Sequence, residues 1–154
     1  PEHDALAHSF PGQFQPSFWS YALFKKRAPA GTMGPVLDPD HPALAGFPTE
    51  AHGDWQWWHL LRNARPVTLE DAPPDYRPVF EMADNIERNR RLGLVFETAV
   101  GDGGLLVSTV DCFACADTPA GRAFYASLAD YVASDAFDPD PALDVPVLER
   151  LLSR

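Results

Sequence analysis

Residues 47–58 read FPTEAHGDWQWW and hold three of the four tryptophans in the chain. Tryptophan carries a large apolar surface and an indole N–H that needs an acceptor when it is buried. Asp54 is a favourable N-cap and residues 55–62 lack Gly and Pro, so the segment predicts a helix there. Trp55 and Trp58 share one helix face, and Trp57 and Leu61 share another. We therefore predict that the tryptophans are buried, with a ligand platform or a domain rim as the alternative.

Length and charge narrow the class of protein. A chain of 154 residues, 45% of them hydrophobic, is long enough to bury one core. The formal net charge of −10 disfavours nucleic acid and anionic membranes as partners. No apolar run in the sequence approaches the roughly 20 residues of a membrane helix. We expect one globular domain that acts on neither nucleic acid nor a membrane.

The chain divides into three parts. Residues 1–33 are rich in aromatic residues and proline, residues 34–138 have the composition of an α/β domain, and residues 139–154 form a tail with a short helix at 147–152. Within the domain we predict strands at 34–37, 67–69, 77–83, 92–100 and 105–110. Residues 43–46 predict one helical turn, and a second long helix runs from Thr118 or Pro119 to about Ala133.

Two of these strands are predicted to form a hairpin. The Gly101-Asp102-Gly103-Gly104 run lies between 92–100 and 105–110, and glycines adopt the positive φ of a tight turn at low cost. The nearly all-apolar strand at 105–110 is predicted to be central and covered on both faces. Strands followed by helices indicate an α/β sandwich.

Four segments, taken in order, resemble a known family. They are Asp38-Pro39-Asp40-His41-Pro42-Ala43-Leu44, the FPTE…H-x-DWQWW segment, Asn89-Arg90-Arg91-Leu92-Gly93-Leu94-Val95-Phe96-Glu97, and Gly101 to Asp111. Their order resembles the C-terminal region of large bacterial glycoside hydrolases of the family 2 type, which are β-galactosidase-like. The resemblance covers about residues 14–138. The Cys112-Phe113-Ala114-Cys115 run departs from it.

The resemblance implies a flavodoxin-like, class I glutamine amidotransferase-like sandwich with a terminal hairpin and a closing helix. It also implies either that the module is truncated at its N-terminus or that the first segment comes from elsewhere. Other domains or subunits of a glycoside hydrolase would be its partners. A periplasmic or secreted bacterial setting is the corresponding expectation.

The sequence argues against catalysis by this chain alone. Family 2 hydrolysis uses two carboxylates on a barrel of about 250 residues, which cannot fit here. An amidotransferase needs an activated Cys with His and Glu partners, but neither Cys112 nor Cys115 has a Gly-x-Cys-x-Gly context and no His follows His59. We predict a non-catalytic accessory domain that packs against or oligomerises the catalytic part.

Two alternatives assign binding or catalysis to named side chains. A carbohydrate-binding module would stack sugars on the tryptophans and bind their hydroxyls through nearby polar groups: Trp55, Trp57, Trp58, Glu50, His52, Asp54 and Gln56. A small independent glycan hydrolase would need paired carboxylates, drawn from Glu50, Asp54, Glu97 and Asp111. Loop-tying roles explain Glu50 and Asp54 equally well, and Asp111, at a strand end, could equally cap the loop that follows it.

Metal and redox sites have weaker support. His52 and His59 are seven residues apart, which matches no compact ligand spacing, so we expect neither a metal nor another cofactor. Cys112 and Cys115 have the spacing of a redox pair or half a zinc site, but a second cysteine pair is absent from the sequence. Two free or buried thiols are the expectation, with a local disulfide as the alternative in an exported protein.

Overall fold

The computed structural model describes residues 32–85, 89–140 and 142–152. The predicted aromatic N-terminal segment therefore lies almost wholly outside the described residues. The strands are β1 (Gly34–Val36), β2 (Val67–Thr68), β3 (Phe80–Ala83), β4 (Arg91–Val100) and β5 (Gly103–Ser108). The helices are α1 (Trp55–Arg62), α2 (Pro119–Val132) and α3 (Val145–Leu152), with a 3₁₀ turn at Pro42–Leu44. These elements confirm the predicted α/β class and most of the predicted segments.

The five strands form one sheet organised around β4. Its order runs β1-β3-β4-β2, and β5 also pairs with β4. Every pairing between these strands is antiparallel. A flavodoxin-like sheet is parallel, because helical crossovers connect its strands. The described strands therefore do not form the flavodoxin-like sheet that the resemblance implies, since hairpin-type connections such as Gly101–Asp102 bring neighbouring strands together in opposite directions.

A β-bulge in β4 changes which side chains face each of the two cores. Phe80 pairs with Val95 whereas Glu81 pairs with Gly93, which leaves Leu94 as an extra residue on β4. Leu94 and Val95 consequently both join the core beneath α1 and α2, and Phe96 joins the core on the opposite face. Residues 92–96 are five consecutive buried residues, because elements packed on both faces cover this part of β4.

The first core is aromatic. Trp57 lies in edge-to-face contact with Phe47, Phe80 and Phe124, at ring-centroid distances of 5.3, 6.1 and 5.6 Å. These rings connect α1, α2, β3 and the segment after the 3₁₀ turn. Burial of four large rings supplies much of the apolar area that stabilises a domain of this size.

The second core shows that the C-terminal tail belongs to the fold. Leu143, Val147, Leu148 and Leu151 pack with Phe96 and with the segment after β2. Thr98 Oγ1, on β4, accepts a 3.1 Å hydrogen bond from the Leu143 N–H. The sheet is therefore covered by α1 and α2 on one face and by α3 on the other.

Strand β5 differs from its prediction. It spans Gly103–Ser108, pairs with β4 alone among the described strands, and is half-buried or exposed along its length. The prediction of a central, doubly covered strand at 105–110 was wrong. An apolar sequence run does not distinguish a doubly covered strand from one whose outer face remains partly open.

Candidate functional site

The tryptophan segment is divided between core and surface. Trp57 is fully buried, whereas the Trp55 side chain is 85% exposed and Trp58 is 40% exposed. The prediction of burial is confirmed for Trp57 and wrong for Trp55 and Trp58. Trp55 and Trp58, three residues apart on α1, form the surface that we call the indole platform.

The buried indole holds the platform in place. Its Nε1 donates a 2.8 Å hydrogen bond to Thr49 Oγ1, and the Gln56 side-chain amide donates a 3.3 Å bond to the Pro48 carbonyl. Both bonds tie α1 to the loop that precedes it. Gln56 therefore has a structural contact, rather than being free for a ligand.

The polar residues before α1 remain near the surface. The His52 Nε2 lies 3.4 Å from the Asp54 Oδ1, and both side chains are substantially exposed. Asp54 occupies the N-cap position, but its side chain accepts no hydrogen bond from the helix. The expected capping role is thus wrong, because the carboxylate pairs with His52 instead. Glu50 is exposed, and its side chain makes no hydrogen bond to a described residue.

The guanidinium of Arg62 lies over the ring of Trp58. Its Cζ is 5.7 Å from the ring centroid, within cation–π range. Arg62 is one turn after Trp58 on α1, so the contact follows from helical spacing. It places a group rich in hydrogen-bond donors against the Trp58 ring.

Glu97 and Asp111 lie at separate places. The Glu97 carboxylate accepts hydrogen bonds of 3.0 and 3.1 Å from the Tyr131 hydroxyl and lines a cleft of about 390 Å³ with Asp75, Arg77 and Asp140. Asp111 Oδ1 accepts bonds of 3.1 and 2.9 Å from the Phe113 and Ala114 N–H groups. Asp111 thus ties down the loop after β5, and neither carboxylate forms a pair with the other.

Two tyrosine hydroxyls donate hydrogen bonds to Glu97. The Tyr76 hydroxyl donates a 2.7 Å hydrogen bond to the Glu97 carbonyl, and burial raises the pKa of Tyr76 to about 12. Burial, followed by the hydrogen bond to Glu97, also raises the pKa of Tyr131. Both phenols therefore remain protonated donors near neutral pH, which suits a structural role.

The two cysteines are free thiols in the structure. Burial raises the pKa of Cys112 to about 11 and also raises that of Cys115. Cys115 is buried, and its Sγ donates to the Asp111 carbonyl at 3.3 Å. A thiol with a raised pKa is a poor nucleophile at neutral pH, so neither cysteine has the activation that amidotransferase chemistry requires.

An apolar groove, which sequence reasoning missed, runs between β5 and α2. It has a volume of about 330 Å³ and is lined chiefly by Leu106, Val110, Phe113, Tyr125, Leu128 and Val132. Phe113 is 86% exposed, and its ring centroid lies 6.3 Å from that of Tyr125. The available sequence signal was the seven-residue spacing of Tyr125 and Val132, which places both on one face of α2.

Among the described residues, no group of three His, Cys, Asp or Glu side chains is placed to hold a metal ion. Within the same ranges, no helix is long and apolar enough to cross a membrane.

The sequence matches a family model, a domain of unknown function (DUF8487), over residues 1–153. The chain belongs to the DUF8487 family. A comparison with curated proteins finds no match. The DUF8487 match runs across both predicted boundaries, at 33/34 and at 138/139.

Proposed function

We propose that this DUF8487 domain is a non-catalytic accessory domain of a bacterial, β-galactosidase-like glycoside hydrolase. In this role it packs against the catalytic part through the apolar groove between β5 and α2. The exposure of Phe113 at that groove is the observation that carries the proposal. A periplasmic or secreted location belongs to the same proposal.

The residues that carry the resemblance support a structural role. Trp57, from the DWQWW segment, is the centre of the aromatic core. Leu94 and Phe96, from the segment 89–97, are fully buried on opposite faces of β4. The resemblance therefore lies mainly in packing residues. The described strands pair antiparallel, so we make the proposal without a flavodoxin-like topology.

The groove has the chemistry of a protein interface. Large exposed apolar side chains that adjoin one another mark interaction sites on soluble proteins. Phe113, Tyr125 and Val132 are all exposed around the groove, and the acidic Asp111 lies at its border. Aromatic centres with polar borders are typical of stable domain and subunit interfaces. The catalytic part of the hydrolase is the occupant to which we assign this surface.

Site-specific photo-cross-linking tests the proposal. Benzoylphenylalanine replaces Phe113 in the natural gene product that contains this sequence, and peptides cross-linked to it are identified by mass spectrometry. Val100, a half-exposed residue at the end of β4, is the matched control position. We expect position 113, and not position 100, to cross-link to peptides of a glycoside hydrolase catalytic domain. Cross-links to unrelated proteins, or none at position 113, would contradict the proposal.

A further inference from the structure

The outer edge of β5 is open. Directly after this strand, the Thr109 N–H donates a 2.9 Å hydrogen bond to the Leu94 carbonyl on β4. Because the backbone groups of an antiparallel strand alternate between its two sides, Gly104, Leu106 and Ser108 direct their N–H and C=O groups away from β4. In the part of the chain that the structure describes, these outward groups have no backbone partner.

The hydrogen bonds on the far side of β4 support this alternation. Ala99 lies opposite Gly104 in the ladder, and its N–H donates a 3.2 Å bond to the Asp140 carbonyl instead of to β5. Directly opposed residues in an antiparallel pair exchange either both of their hydrogen bonds or neither. Gly104 is therefore also turned away from β4, toward the free edge.

The edge lacks the features that keep edge strands apart. Soluble proteins protect such edges with charged side chains, proline or a bulge. Residues 103–108 read GGLLVS, without a charge or a proline, and the register shift of β4 occurs against β3 rather than against β5. Leu105, Leu106 and Val107 are only half-buried. An apolar edge without protection indicates that another strand pairs with it.

A second copy of the same strand fits the edge in one symmetric register. Antiparallel pairing about a two-fold axis at Leu106 would place Leu106 opposite its own copy and Gly104 opposite Ser108. All the outward N–H and C=O groups of these three residues would then be bonded. On the face of the second core, Leu105 would lie opposite Val107, so apolar side chains would meet. Such a self-complementary contact is what a two-fold dimer requires.

We propose that the chain forms a homodimer in which β5 pairs antiparallel with β5 of a second copy. Residues 103–108 carry no charge, so the pairing opposes no like charges within the strands. The net charge of −10 on each copy acts against association at longer range, so added salt should strengthen the dimer. The inference does not rest on the proposed function, because Phe113 lies outside the paired segment.

Two measurements on the whole, unmodified chain test the proposal. Sedimentation velocity over a range of concentrations should show a reversible change from one to two chain masses, shifted to lower concentration by sodium chloride. Hydrogen exchange followed by NMR should show the Leu106 amide protected only as the dimer forms. The Leu105 amide, which is directed toward β4, is the internal control and should be protected at every concentration.

A pair of variants separates backbone pairing from side-chain packing. Leu106→Pro and Leu106→Ala both remove the leucine side chain, but only proline removes the outward N–H, which an edge strand tolerates. We expect Leu106→Pro to raise the dimer dissociation constant roughly tenfold or more above that of Leu106→Ala, since the symmetry removes the bond twice. Circular dichroism checks that both variants fold.

The proposal is overturned if the parent chain sediments as a monomer at every concentration. A Leu106 amide that is protected in that monomer would assign the edge to another segment of the same chain. A dimer that Leu106→Pro and Leu106→Ala weaken equally would place the interface elsewhere and also overturn the proposal. None of these results alters the cross-linking test at position 113, so the two proposals fail separately.

Discussion

The indole Nε1 of Trp57 donates a 2.8 Å hydrogen bond to Thr49 Oγ1, and the indole is otherwise enclosed by three phenylalanine rings. One side chain thus satisfies both requirements of a buried tryptophan, an apolar shell and an acceptor for its N–H. Its neighbours in the chain, Trp55 and Trp58, remain at the surface. The segment therefore joins a buried structural anchor to two indoles at the surface.

Trp57→Ala should lower the free energy of unfolding by about 3–5 kcal/mol, because it leaves a cavity among the aromatic rings. Trp55→Ala, at an exposed position in the same helix, should change it by no more than about 0.5 kcal/mol. Urea titrations followed by circular dichroism measure both values. Equal losses in the two variants would contradict the division of the segment into core and surface.

Gly121→Ala should destabilise the protein by about 1–3 kcal/mol, although alanine favours helices. A Cβ at this position in α2 would lie only 2.0 Å from the carbonyl oxygen of Cys115. Gly103→Ala is the control, since the nearest atom to its Cβ would be 3.9 Å away. Thermal unfolding compares the two, and an unchanged midpoint for Gly121→Ala would show that the 112–118 loop does not pack this closely against α2.

Thr98→Val should lower the free energy of unfolding by about 1–3 kcal/mol, because it leaves the buried Leu143 N–H without its acceptor. Valine has nearly the same shape, so packing changes little. Thr98→Ser retains the hydroxyl and is the matched control. Hydrogen exchange at Leu143 should accelerate in Thr98→Val only; equal rates in both variants would mean that Thr98 does not secure the C-terminal segment.

Stability should fall at alkaline pH. The pKa of Tyr76 is raised from 10.0 to about 12 in the folded state, so its contribution is complete below pH 10 and is lost as the pH rises through about 12. Ionisation of Tyr131 and Cys112 should likewise lower stability at alkaline pH, because burial raises the folded-state pKa of each.

Unfolding free energies measured between pH 8 and 12 in Tyr76→Phe should show a shallower alkaline decline than in the parent chain. The same variant should lose about 1 kcal/mol near neutral pH, since the bond to the Glu97 carbonyl is gone. Tyr125→Phe, at an exposed position on α2, is the control. An identical alkaline decline in all three chains would contradict the role assigned to Tyr76.

Local features of the fold could be predicted from the sequence. Asp54, followed by eight residues without a breaker, located α1, and Thr118-Pro119 located the start of α2, where Thr118 Oγ1 accepts from the Gly121 N–H. The order and direction of the strands could not be predicted, because they depend on pairings between distant residues. The bulge at Leu94 likewise follows from its partner strand and not from its own sequence.

The candidate site was only partly predictable for a similar reason. Trp55, Trp57 and Trp58 make α1 apolar on nearly every side, so periodicity does not show which face meets the sheet. Trp57 is the buried one, because Phe47, Phe80 and Phe124 enclose its ring in the folded chain. The apolar groove was missed because Phe113, from the loop after β5, and Tyr125, from α2, come together only in the folded chain.

Fluorine NMR of the chain labelled with 5-fluorotryptophan tests the central claim most directly. Resonances are assigned by single Trp→Phe substitutions, and solvent exposure is read from the shift between water and deuterium oxide. We predict a large solvent shift for Trp55, an intermediate one for Trp58 and none for Trp57. A protected Trp55, or an exposed Trp57, would contradict the account.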